Sequence, residues 1–238
     1  MSDFDFSAIL NDGSQKHCTD ATDNRVSAYV PVWSSEKECQ AWLADKLDKV
    51  KYLRVYEEVS VTDIYGRKGR IDLGLVLPVG PHRERCFVAI ELKNKTHISA
   101  NACDAFVQAY HYREFCLLTD DRLPEDVYGS PSLAFAGVFD RMAQCDYQRE
   151  RFDGMCILAC QQRVGSVRCN NSRWNDDISF HMGEQLVFAV NITDKTIRWT
   201  NKAEDYVYGR EKRNGSRRVR QSVAERFAEM ESTIKELF

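Results

Sequence analysis

The chain is poor in chain breakers, in charge of one sign and in long apolar runs. Five prolines and twelve glycines in 238 residues form no low-complexity tract. No internal repeat is visible, which excludes a solenoid. A net charge of −3 excludes a wholly basic nucleic-acid coat but is compatible with a local basic groove. No apolar run reaches membrane-spanning length, and the N-terminus lacks a signal-peptide core. A cytosolic protein with no membrane partner is therefore expected. There is no CxxC pair. The cysteines number nine, and Cys86, Cys103, Cys116, Cys156 and Cys160 lie inside hydrophobic runs, as buried free thiols do.

What is present suits a globular domain. Apolar residues make up 43% and charged residues 29%, enough for one sizeable core. Residues 1–34 are polar and acidic and read as an arm. No linker divides residues 35–238, which read as one domain: a core over about 35–140 and an extension over about 141–238.

The chemistry concentrates between Gly69 and Tyr112. Ile71, Leu73, Leu75 and Leu77 alternate with Asp72, Gly74 and Val76. Val88, Ile90 and Leu92 alternate with Ala89, Glu91 and Lys93. Strand side chains alternate faces, so each run has a greasy face and a face of small or ionisable residues. If the two runs pair, Asp72 and Glu91 converge. Two close carboxylates repel unless a cation lies between them. Mg²⁺ or Mn²⁺ suits such hard oxygen ligands and retains waters for chemistry. Lys93 follows two residues after Glu91, placed to hold an attacking water or to neutralise charge developing on a phosphate. A helix over 99–116 then carries Gln108 and Tyr112, one turn apart and on one side.

Asp72, eighteen intervening residues and then Glu91-Leu92-Lys93 resemble the PD-(D/E)XK nuclease superfamily. Ile71 stands where that family has proline. Gln108-Ala109-Tyr110-His111-Tyr112 fits the QxxxY motif of one branch. Tyr56-Glu57-Glu58-Val59 ahead of Gly69-Arg70-Ile71-Asp72 is also similar to that branch. The resemblance spans about residues 35–140. It implies an α/β fold with a restriction-endonuclease-like α-β-β-β-α-β core, its mixed sheet flanked by helices. It further implies metal-dependent hydrolysis of nucleic acid, DNA ahead of RNA, with Asp72, Glu91 and the Leu92 carbonyl on Mg²⁺. Gln108 would bond a metal-bound water or a phosphate, and Tyr112 would bind or stack on the substrate. Members of this branch trim or degrade DNA ends and occur in phage and defence settings. Some hold an iron–sulfur cluster, but the spacing of Cys156, Cys160 and Cys169 disfavours one here.

Two further glutamates are candidates for the metal shell. A helix from Ser35 to about Val50 has Cys39, Leu43, Leu47 and Val50 as its stripe. Glu36 lies on that face, where many relatives carry a glutamate toward the metal. Its ordinary reading is an acid favoured at a helix N-terminus, and Glu38 fits a capping box with Ser35. Glu58, in a strand over about 52–62, has the parity of Asp72 and Glu91. Its ordinary reading is a solvent-facing strand residue. Both readings stand for each.

Beyond Lys93, Leu133–Asp140 reads as a buried strand. Further strands are expected over 154–161, 167–169, 178–181, 185–192 and 196–200. The last two form a hairpin through Thr193-Asp194-Lys195. A helix is expected from Ser216, striped by Val219, Val223, Phe227, Met230, Ile234 and Leu237. Cations oppose the dipole of a helix first turn, so Arg217, Arg218 and Arg220 suggest phosphate contacts, as does Arg70 in the basic turn before Asp72. A solvated charged surface is the alternative for both. Apart from nuclease activity, two functions fit the residues: an inactive nucleic-acid-binding module, and an interaction protein whose acids hold a structural cation.

Overall fold

The structure is a computed structural model. It describes residues 35–79, 84–93, 98–138, 163–172, 175–183, 185–208, 212–213, 216–217 and 221–237. The chain divides between Pro31 and Val32 into two units, and every described residue lies in the second.

Helix α1 (Glu36–Asp48) starts where its caps dictate. The Ser35 hydroxyl accepts from the Glu38 amide at 3.2 Å, Glu36 and Glu38 lie in the first turn, and Lys46 in the last, each matched to the helix dipole. Cys39, Leu43 and Leu47 are fully buried, the stripe read from the sequence. Three antiparallel strands follow: β1 (Arg54–Asp63), β2 (Lys68–Val79) and β3 (Glu84–Lys93). Helix α2 (Ile98–Phe115) leads into the short β4 (Cys116–Leu118), which pairs along the far edge of β1. The chain then crosses to β5 (Leu133–Val138), which lies parallel to β3. Parallel neighbours need such a crossover.

The second half extends the same sheet. β6 (Gly165–Ser172) is parallel to β5, and β7 (Asn175–Met182), β8 (Gln185–Asn191) and β9 (Thr196–Trp199) continue antiparallel. The result is one mixed sheet in the order β4-β1-β2-β3-β5-β6-β7-β8-β9, an α/β architecture. The hairpin through Thr193-Asp194-Lys195 forms as expected. The strand expected over 154–161 lies outside the described residues. After α3 (Ala203–Tyr208), Lys212–Arg213 (β10) pairs with Ser216–Arg217 (β11). The helix expected from Ser216 instead begins at Val223, as α4 (Val223–Leu237). Its real start is a capping box: Ser222 Oγ accepts from the Glu225 amide at 3.0 Å, and Glu225 Oε2 accepts from the Ser222 amide at 2.8 Å. That reciprocal pair satisfies two otherwise orphaned donors, whereas Ser216 sits in a two-residue strand.

Two cores flank β3 and β5. Val59, Val61, Ile71, Phe87 and Ala89 pack with Ala105, Phe106 and Ala109 of α2. Gly74 is required there, because a Cβ would run into the Phe87 ring. Toward β8, Phe135 meets Phe180 edge-on at 5.1 Å, and Phe180 stacks on Phe188 at 4.1 Å. Fully burying such a ring contributes about 1.5–3 kcal/mol. The polar site stands where β2 and β3 outrun these cores.

Candidate functional site

The last β2–β3 ladder pair is Leu73 with Ile90. The same register carried one residue on sets Asp72 opposite Glu91. There the Leu92 amide donates to Asp72 Oδ2 at 2.7 Å. Lys93 reaches back so that its Nζ donates to Glu91 Oε1 at 2.6 Å and to Glu36 Oε1 at 3.2 Å. The expected convergence of Asp72, Glu91 and Lys93 is thus present, and α1 brings Glu36 to it through Lys93. The Glu91 side chain is only 3% exposed, yet its Oε2 has no hydrogen-bond partner among the described residues. A buried, unsatisfied charged oxygen is costly.

The electrostatics follow from that placement. Burial, then the charge of Asp72, pushes the Glu91 carboxyl up to about 7 despite the Lys93 ammonium. Burial likewise raises Asp72; the Leu92 amide and Lys93 oppose the rise, and Glu36 and Glu58 add to it. Burial works to lower Lys93, but its bonds to Glu91 and Glu36 outweigh that and hold it above its ordinary value. Burial first, and then the charges of Glu91 and Asp72, raise the Tyr112 hydroxyl. The site is a low-dielectric patch with surplus negative charge.

Glu58 has an unusual backbone. The β1–β2 ladder runs from Arg54↔Val76 to Thr62↔Lys68 and leaves out only the Glu58 position, opposite Asp72. Glu58 adopts φ 52°, a left-handed conformation that costs a non-glycine residue on the order of 1–3 kcal/mol. Its carboxylate pairs with Arg70 Nη1 at 3.5 Å. Glu36 and Glu58 are each held by a cation, Lys93 and Arg70 respectively, and neither has an oxygen bonded to Asp72 or Glu91.

Tyr112 reaches across from α2, its hydroxyl donating to the Arg70 carbonyl at 2.8 Å. Gln108, one turn earlier, is exposed; no hydrogen bond joins it to the carboxylates. Arg217 lies in β11, and Arg218 and Arg220 lie outside the described residues, as do Cys156 and Cys160. Cys39, Cys86 and Cys116 are buried free thiols.

Sequence reading missed Gln40. It is buried on α1, and its Nε2 donates to the Asp72 carbonyl at 3.0 Å and to Glu57 Oε2 at 3.4 Å. An amide beside Cys39 and Leu43 on the buried side of the helix was the available signal. Asp120, which holds the Ser60 amide, and Arg122, which holds the Glu58 carbonyl, carried none, because they approach from 60 and 64 residues away.

Among the described residues no group of three or more His, Cys, Asp or Glu side chains forms a ready cation cage. The Asp72–Glu91 pair, with one buried oxygen unpartnered, does fit a hard cation that keeps most of its waters. No helix among the described residues is long and apolar enough to cross a membrane. Set against protein-family profiles, curated proteins and solved structures, the chain finds no match.

Proposed function

We propose that this chain is a Mg²⁺- or Mn²⁺-dependent phosphodiesterase acting on nucleic acid, DNA ahead of RNA, on a restriction-endonuclease-like core. One observation carries the reading. A nearly inaccessible carboxylate, Glu91, keeps an oxygen unpartnered while facing Asp72, with Lys93 beside it. Buried polar groups are mostly satisfied; Glu114 and Asp177 also carry an oxygen without a hydrogen bond, but Glu91 does so with the charge of Asp72 acting on it, an arrangement that suits a cation. The order α1-β1-β2-β3-α2-β4-β5, with β3 and β5 parallel, supports the reading once the short edge strand β4 is taken as an addition.

Asp72 and Glu91 would hold the ion. When bound, it supplies Lewis acidity and a water acidified toward neutrality. Asp72 is oriented by the Leu92 amide, and its strand is tied to α1 by Gln40. Lys93 keeps its proton and offers positive charge next to the carboxylates, where it stabilises charge building on a phosphate. Tyr112, its hydroxyl held in the un-ionised form, fixes the β2 backbone before Asp72. Arg70 lies exposed and paired with Glu58, and it would contact a flanking phosphate.

The test is incubation of the full chain with labelled single- and double-stranded DNA and RNA in Mg²⁺, Mn²⁺ or EDTA. Cleavage that stops in EDTA is expected. Cleavage unchanged in excess EDTA, or none with either metal, overturns the proposal. The lack of a ready three-acid cage favours a second reading, an inactive nucleic-acid-binding module in which Lys93 permanently neutralises Glu91 and Glu36. It is distinguished by binding without cleavage in both metals.

A further inference from the structure

The β1–β2 hairpin carries the opposite charge to the chain as a whole. Between Val59 and Ile71 it has Arg67, Lys68 and Arg70 against Asp63 alone, in a protein of net charge −3. Its inner face, with Val59, Val61 and Ile71, is buried core. On its outer face Ser60 pairs with Arg70 and Thr62 with Lys68, and Ser60, Lys68 and Arg70 are exposed. Alternation sets Lys68 and Arg70 on that one face, about 6.6 Å apart at a strand rise of about 3.3 Å per residue. Asp72 lies two residues further along β2. Arg70 has a long contact with Glu58, at 3.5 Å. Exposed ion pairs contribute little, so a phosphate can take its place. Among the described residues no ion pair holds Lys68.

The tip of the hairpin adds an aromatic ring on a fixed turn. Asp63 accepts from the Tyr65 and Arg67 amides and from Arg67 Nε. The Gly66 amide donates to the Asp63 carbonyl at 2.9 Å, and the Ile64 amide donates to the Phe115 carbonyl, at the end of α2, at 3.0 Å. On this turn Tyr65 stands 73% exposed, with the Arg67 guanidinium 5.2 Å from its ring centroid. A single exposed aromatic is ordinary on a surface. One held rigidly beside a row of cations that leads to paired carboxylates matches how single strands are bound without sequence preference, bases on aromatic faces and phosphates on cations. A duplex keeps its base faces stacked, whereas an unpaired strand offers them.

We infer that the β1–β2 hairpin is a guide for single-stranded nucleic acid: Tyr65 stacks an unpaired base, and Lys68 and Arg70 hold the phosphates that follow, leading the strand toward Asp72 and Glu91. The inference rests on the proposed nuclease reading for the destination of that strand. Arg67, tied to Asp63, supports the ring and holds no phosphate.

The experiment follows the anisotropy of labelled single-stranded DNA, of a blunt duplex of the same sequence and of an abasic single strand, each with the full chain in Ca²⁺. Wild type is expected to bind the single strand more tightly than the duplex. Tyr65→Ala is expected to weaken single-strand binding about 5-fold or more, the loss of one stacked base, and Tyr65→Trp to retain it. On the abasic strand Tyr65→Ala is expected to equal wild type. Lys68→Gln is expected to lower the salt slope by about 0.7, one phosphate contact on a single strand. No binding by wild type, tighter binding of the blunt duplex, wild-type affinity in Tyr65→Ala, or an equal Tyr65→Ala loss on the abasic strand overturns the guide. An unchanged slope in Lys68→Gln removes Lys68 from it. A wild type that binds as expected but cuts nothing in Mg²⁺ or Mn²⁺ overturns the nuclease reading and leaves the hairpin as a binding surface. Cleavage by a Tyr65→Ala variant of wild-type affinity overturns the guide alone.

Discussion

Asp63 and Glu91 are carboxylates of equal inaccessibility, each with a side chain 3% exposed, and the protein treats them oppositely. Asp63 closes the β1–β2 hairpin: its Oδ1 accepts from the amides of Tyr65 and Arg67, both at 2.9 Å, and its Oδ2 accepts from Arg67 Nε at 2.7 Å. Burial alone would raise its pKa, but those bonds together outweigh burial and hold it below the usual carboxylate range. Among the described residues Glu91 has one bond, to Lys93, so burial and then the charge of Asp72 push its carboxyl up to about 7. Burial alone therefore does not set the charge state of an acid. The number of donors aimed at it decides, because each donor stabilises the charged form.

The largest effect expected from breaking this contrast is on rate. Lys93→Ala removes the only donor to Glu91 found among the described residues, and with it the cation bonded to that carboxylate. Single-turnover cleavage should fall about 10²–10³-fold, or about 3–4 kcal/mol, with nucleic-acid affinity in Ca²⁺ retained. Asp72→Ala should instead weaken Mg²⁺ binding, so that added Mg²⁺ restores part of the activity. A Lys93→Ala rate equal to wild type would remove Lys93 from the chemistry.

Stability should respond with opposite signs at the two acids. Glu91→Gln removes a charge that the fold holds at a cost, and in EDTA at pH 8 it should stabilise by up to about 3 kcal/mol, at about 1.4 kcal/mol per pKa unit. Asp63→Asn should lower the denaturation midpoint, because Arg67 Nε loses its carboxylate acceptor to an NH2 donor and the two turn amides keep only a neutral oxygen. Urea titrations of both variants measure the pair, and equal signs would erase the distinction.

The pH dependence sharpens the same point. The folded pKa of Glu91 is raised from 4.5 to about 7, so the folded state binds the extra proton. Its contribution to stability is full below pH 4.5 and is lost as pH rises from there to about 7. Asp63, lowered in the folded state, contributes above the ordinary carboxylate range and loses that contribution as pH falls. A cation must displace the Glu91 proton, so Mn²⁺ affinity should rise about tenfold per pH unit below 7 and level off above it. Calorimetry across pH 5.5–8.5, a range set by that value of about 7, checks it. Flat affinity would mean that Glu91 is not a ligand.

The smallest effect concerns Arg67, beside Asp63, and Arg70, beside Glu58. Arg67 is tied to Asp63, whereas Arg70 makes only a long contact with Glu58. Arg70→Gln should reduce the salt slope of nucleic-acid binding by about 0.7–0.9 for one lost phosphate contact. Arg67→Gln should leave the slope unchanged and loosen the hairpin. Equal slopes for both variants and wild type would assign Arg70 to the solvated surface.

Much of this was legible because it is local. The alternation over 71–77 and 87–93, the Ser35 cap and the stripe Cys39–Leu43–Leu47 follow from periods and caps that depend on near neighbours alone. They settled α1, β1, β2, β3 and α2 and the meeting of Asp72, Glu91 and Lys93, since register follows once a greasy face must be buried. The start of α4 was also written locally, as Ser222 and Glu225, but the apolar stripe continued upstream through Val219 and masked it.

Other features were decided only by tertiary structure. Which acids are satisfied depends on donors far along the chain or turned toward them by a bend. Asp63 and Glu91 look alike in sequence, each a carboxylate late in a strand. The left-handed Glu58, its grip by Arg122 and the placement of β6–β9 on the same sheet as the site arise from contacts between distant segments. The free energy of a buried charge is set by every dipole around it, and no short window of sequence contains them all.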